Sequence, residues 1–93
     1  MTFYANATIL STTQVTPADG VVPSSVTFGW KLSGGGAYTA ASVTLVGQVS
    51  TNPPTWAYKA TWTPTAAGTY VRKWASASMD GRDYGTVVVE AEP

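Results

Sequence analysis

The chain has no cysteine and no histidine. The first absence excludes a disulfide framework, thiol nucleophiles and every thiolate metal site. The second removes the side chain most used as general base and metal ligand near neutral pH. Charge is scarce too. Five basic and five acidic residues cancel to a formal net charge of zero. No basic field is available to hold phosphates, which sets nucleic acid aside as a partner. With only 11% of residues charged, solubility falls to Thr, Ser, Asn, Gln and Gly. No long apolar run exists, and the start lacks a positively charged region ahead of one. Neither a transmembrane segment nor a signal peptide is therefore expected, nor a membrane partner, and the expected site of synthesis is a cytoplasm.

What the chain does have is aromatic bulk. Four Trp, five Tyr and two Phe stand among 93 residues, and the hydrophobic fraction of 44% is enough for a packed core. Each aromatic can bury about 150–250 Å². At roughly 25 cal/mol per Å² that is about 4–6 kcal/mol gross per ring. Ordering each backbone residue costs about 1–2 kcal/mol. A chain this short buries a smaller share of its surface than a larger one and needs an efficient core, so most of the rings must be inside.

Helical periodicity is nearly absent, and alternation of period two dominates. In Val26–Leu32 the residues Val26, Phe28, Trp30 and Leu32 share a face. Trp56, Tyr58, Ala60 and Trp62 do so in the next clear strand, and Val43 with Leu45 in a shorter one. Tyr70–Ala75 and Tyr84–Ala91 are two more, and a first strand is expected within Ala5–Val15. Pro17–Gly20, Ser33–Gly36, Asn52–Pro54, Pro64–Gly68 and Asp80–Gly81 punctuate the strands as turns. The prediction is a single domain over residues 1–93, with 1–3 and 92–93 as loose ends. It is all-β, an antiparallel sandwich of six or seven strands, with a closed barrel as runner-up. The expected core is Val26, Phe28, Trp30, Leu32, Val43, Leu45, Trp56, Tyr58, Trp62, Tyr70, Trp74 and Val88.

One local feature points to an immunoglobulin-like sandwich. Gly68-Thr69-Tyr70 opens a strand just after the Pro64 turn, where such domains place a tyrosine corner. The run from Ala60 to Trp74 carries a strand ending at Thr63-Pro64, then Gly68-Thr69-Tyr70, then Trp74 four residues after the Tyr. With the Asp80-Gly81 turn and the Val-rich last strand, it resembles small immunoglobulin-like domains of tailed-phage virions and of bacterial surface proteins. The likeness covers residues 43 onward well and the first forty in broad layout. Arg72 departs from it, lying between Tyr70 and Trp74 where an apolar residue is expected. Either Arg72 lies at a sheet margin with its stem over the core, or the strand is bulged there.

The resemblance implies a structural docking module, located in the virion and made in the host cytoplasm. The first expectation is a capsid decoration or head accessory protein. A neck or tail component is the alternative, and a carbohydrate-binding or adhesive module is the alternative of another class. Partners would be other virion proteins of the capsid or tail lattice, further copies of the chain, or a host glycan. No catalytic residue, cofactor or metal site is expected. Asp19 and Asp80 are explained by turns, and Asp80-Gly81-Arg82-Asp83 holds too few acids for a cation site. Gly34–Gly36 lacks the Lys and Ser/Thr of a phosphate loop. Trp56, Tyr58 and Trp62 could stack a sugar only if exposed, and the core explains them better. Phe3, Tyr4, Tyr38 and Tyr84 lie near strand ends or loops, and these are the candidates for a contact patch.

Overall fold

A computed structural model describes residues 2–23, 25–76 and 83–91. The strands in chain order are β1 (Phe3–Tyr4), β2 (Ile9–Val15), β3 (Thr27–Leu32) and β4 (Thr39–Ala41), then β5 (Val43–Thr51), β6 (Pro54–Trp62), β7 (Gly68–Ala75) and β8 (Asp83–Glu90). They form two sheets. One has five strands in the order β1-β8-β7-β3-β4, and the other three in the order β2-β6-β5. All ladders are antiparallel except β1 with β8, where Phe3 and Tyr4 run parallel to Val89 and Glu90. The two sheets pack as an immunoglobulin-like sandwich, the arrangement that the Gly68-Thr69-Tyr70 corner favoured over a closed barrel.

Eight strands stand where six or seven were expected. The extra two are short pieces that carry no alternation signal of their own. β4 has three residues and β1 two, and both exist because a neighbouring strand offers an open edge. Phe3 is therefore not a loose end, since the ladder with Val89 holds it. β5 also runs on to Thr51, well past Val46. Glu92, Pro93 and the Asp80-Gly81 turn lie outside the described residues. At Pro17–Gly20 the turn forms as its residues dictate: the Gly20 amide donates to the Pro17 carbonyl at 3.2 Å with Gly20 at φ +70°.

The core is the set of inward side chains from both sheets. Phe28 and Trp30 on β3, Trp62 on β6, and Tyr70 and Trp74 on β7 meet as one aromatic cluster. Ring centroids are 4.8 Å apart for Phe28–Trp74, 5.2 Å for Trp30–Trp62 and 5.6 Å for Trp62–Tyr70. These tilted contacts are the arrangement that ring quadrupoles prefer. Ile9, Val15, Tyr58, Ala60 and Val89 close the cluster. Val26, Trp30, Val43 and Trp56 are half-buried against it. Two of the inward polar tips find partners close by. Trp62 Nε1 donates to Ser11 Oγ at 3.0 Å, and the Tyr58 hydroxyl donates to the Pro23 carbonyl at 3.3 Å.

Three residues expected in the core are instead exposed. Val88 belongs to a run of three valines whose parity the sequence leaves open. The ladder sets Tyr70 opposite Val87, so Val87 and Val89 turn inward and Val88 outward. Leu32 has inward parity, but it ends its strand and covers Gly68 at the rim. Leu45 lies opposite Tyr58 on the edge strand β5. The facing sheet ends in the three-residue β4, too short to cover it.

The tyrosine corner forms. The Tyr70 hydroxyl donates to the Ala66 carbonyl four residues upstream at 2.7 Å. Nearby, Pro64 is fully buried and its carbonyl accepts from the Asn6 amide at 2.7 Å. One connection is thus tied both to its own next strand and to the turn that follows β1.

Two outcomes follow. Tyr70→Phe should lower stability by about 1 kcal/mol, because it deletes the corner bond while the ring stays packed. Urea unfolding would read this as a lower midpoint at unchanged slope. The second concerns pH. Burial raises the Tyr58 phenol above its ordinary pKa of 10.0, by desolvating the phenolate. The stabilisation is complete below the unfolded-state value and is lost as pH rises through the folded one. Stability should fall in the alkaline range above about 10, and Tyr58→Phe should flatten that part of the profile.

Candidate docking surfaces

The four aromatics put forward for a contact patch separate into two places. Phe3 and Tyr4 form β1 at one edge of the five-stranded sheet. Phe3 is half-buried against the core, so it is not a free contact residue. The reason is its parallel pairing with Val89, which turns it inward. Tyr4 is exposed beside Leu10. An open groove of about 500 Å³ runs there, lined by Phe3, Tyr4, Ile9 and Leu10 among others.

Tyr38 and Tyr84 lie on the outer face of the same sheet. Gly29 on β3 creates the place for Tyr38, since a Cβ at Gly29 would stand 3.1 Å from the Tyr38 Cβ. Two lysines close over the Tyr38 ring. Lys31 Nζ is 4.8 Å from its centroid and Lys73 Nζ 4.4 Å. Such a contact contributes about 0.5–1 kcal/mol at an exposed site. The ladders explain the grouping: Gly29 pairs with Lys73, and Lys73 pairs with Tyr84. Lys31 pairs with Val71, which pairs with Thr86. Tyr84 and Val88 stand exposed along β8 on this face.

A third exposed region is β5, the free edge of the three-stranded sheet. Its nine residues carry no charge. The ladder with β6 shifts register between Leu45 and Gly47 and again between Gln48 and Ser50. Val46 and Val49 lie at those two irregularities, and both are exposed along with Leu45. Bulges at a sheet edge hinder indiscriminate strand pairing while leaving side chains available for contact. Sequence reasoning missed this strip because alternation marks a strand only over Val43–Val46, with Leu45 inward, and the two register shifts that carry the strand on to Thr51 leave no local signal.

The sugar-stacking platform is not on the surface. Trp62 and Tyr58 are buried, and Trp56 is packed against the core. The acids are dispersed. Asp19 Oδ1 accepts from the Val21 amide within its turn, and Glu90 closes the far end of β8.

Arg72 keeps strict alternation. Its ladders to Trp30 and to Gly85 run without a bulge, and its side chain lies inward between the layers. Gly85 makes the room: a Cβ there would stand 2.7 Å from the guanidinium. Asp83 approaches Arg72 Nη1 at 3.7 Å and accepts from Thr13 Oγ1 of the other sheet at 3.4 Å. Arg72 Nη1 and Trp74 Nε1 are buried without hydrogen-bond partners. In antibody domains the residue two after the corner tyrosine is half of the inter-sheet disulfide. Here Arg72 holds that position; its ionic contact is to Asp83 on the neighbouring strand of the same sheet, and only the Thr13–Asp83 hydrogen bond crosses to the other.

These features define a small immunoglobulin-like sandwich with three exposed regions: the β1 edge, the Lys31–Tyr38–Lys73 face and the β5 edge. No family model matches the chain, and neither a curated protein nor a solved structure does.

Arg72→Met should leave stability unchanged or raise it by up to about 2 kcal/mol, since a long ion pair with a buried unbonded nitrogen recovers little of its desolvation. Asp83→Ala should lower stability by stranding the guanidinium. Chemical denaturation of the two variants reads both signs.

Proposed function

We propose that this protein is a non-enzymatic structural module of a tailed-phage virion, a capsid decoration or head accessory protein that docks on the shell. The observation that carries the docking role is the β5 edge, nine uncharged residues with Leu45, Val46 and Val49 exposed together. Isolated surface valines are ordinary, but aliphatic side chains grouped on one open edge suit a protein contact. The small charged fraction supports the same reading, because the chain has few groups to keep it solvated away from a partner. The Thr63-Pro64 to Trp74 run supports the virion setting through its likeness to virion immunoglobulin-like domains, while the formed corner at Tyr70 bears on the fold alone. A neck or tail position is the second reading within that setting.

The test is incorporation into particles. Mass spectrometry and immuno-gold labelling of purified particles should find the protein on the head. Val46→Asp with Val49→Asp should cut its occupancy roughly tenfold while the isolated protein melts as before. Absence from every particle fraction would overturn the proposal.

A further inference from the structure

We infer that the outer face of the five-stranded sheet, centred on Lys31, Tyr38 and Lys73, docks on an acidic protein surface. This rests on the docking role above and names a second contact face together with its partner's charge. Two of the five basic residues converge on a single ring there. Among the described residues neither lysine pairs with a carboxylate, and Lys31 has only the Gly35 carbonyl at 3.5 Å. Two ammonium groups gathered on one ring make a local positive spot, and a partner's carboxylate gains Coulomb attraction from both. Both side chains are already confined by the ring, so a partner loses less to ordering them than it would with free lysines. Gly29 leaves room for the arrangement, since a Cβ there would crowd the Tyr38 Cβ at 3.1 Å.

The rest of the face selects a polypeptide over an acidic sugar. Tyr84 is 57% exposed directly across from Lys73, Val71 is half-buried directly across from Lys31, and Val88, 63% exposed, lies further along β8 beyond Thr86. An aromatic and aliphatic strip with a cationic flank is the composition of a protein contact. Sugar recognition calls for a flat aromatic platform, and the tryptophans that would supply one are inside.

The probe is poly-L-glutamate, titrated into the full-length ¹⁵N-labelled chain. Amide shifts should gather on Lys31, Tyr38, Val71, Lys73 and Tyr84. Lys31→Glu with Lys73→Glu should weaken binding roughly tenfold or more, and Lys31→Arg with Lys73→Arg should preserve it. Lys59→Glu, on the other sheet, should leave it unchanged. Raising salt from about 0.15 M to about 0.5 M should weaken it. Melting temperatures of the variants show that the fold is kept. No binding, or equal weakening by Lys59→Glu, overturns the inference. So does alginate binding the same residues roughly tenfold more tightly than poly-L-glutamate, which would make the ligand an acidic sugar. Absence of the protein from particles, with the poly-L-glutamate site intact, would sink the virion setting alone. Full incorporation of the Lys31→Glu, Lys73→Glu variant would sink this face alone.

Discussion

The contact on which the structure depends is that of Phe28, Trp30, Trp62, Tyr70 and Trp74 between the two sheets. Each ring comes from a different position along the chain, and no single sheet could keep any of them dry. Trp74 is fully buried and touches Phe28, while Trp62 bridges to both Trp30 and Tyr70. Burying these rings supplies most of the favourable energy a chain of this length can raise, and it requires two layers. Everything outward-facing is then free to vary. The lysine and tyrosine cluster and the β5 edge are what that freedom leaves on the surface.

The polar contacts around the cluster divide into well-made and loose ones. Trp62 to Ser11, Tyr58 to Pro23 and Tyr70 to Ala66 each give an inward polar atom a partner, which removes the desolvation cost of its burial. The Arg72–Asp83 contact is the loose one. Arg72 stands where antibody domains place one cysteine of their inter-sheet disulfide, but its ion pair stays within one sheet and the chain has no cysteine. The sandwich is held by its rings rather than by a staple.

Much of the fold was legible in the residues. Alternation at Phe28–Trp30 and at Tyr58–Ala60–Trp62, with turns at Pro17–Gly20 and Pro64–Gly68, specifies strands with one dry face. Gly68-Thr69-Tyr70 specified the corner bond to Ala66. The contact surfaces were legible only in part. Tyr38 and Tyr84 were flagged from their positions, but Lys31 and Lys73 read as ordinary solvated charges. They become a site only because Gly29, Lys73 and Tyr84 stand in one row across three strands.

The sequence by itself determined the six longer strands, turns such as Pro17–Gly20, and that Trp62 and Trp74 go inside, because those are consequences of local periodicity and of apolar area; the short β1 and β4 and the full length of β5 it did not. Tertiary structure alone decided the parity of Val87-Val88-Val89, the exposure of Leu32 and Leu45, and the enclosure of Phe3. It also decided the pairing of Arg72 with Asp83. Each depends on which strand lies alongside and how far the facing sheet extends, and that is set by long-range register rather than by neighbours in the chain.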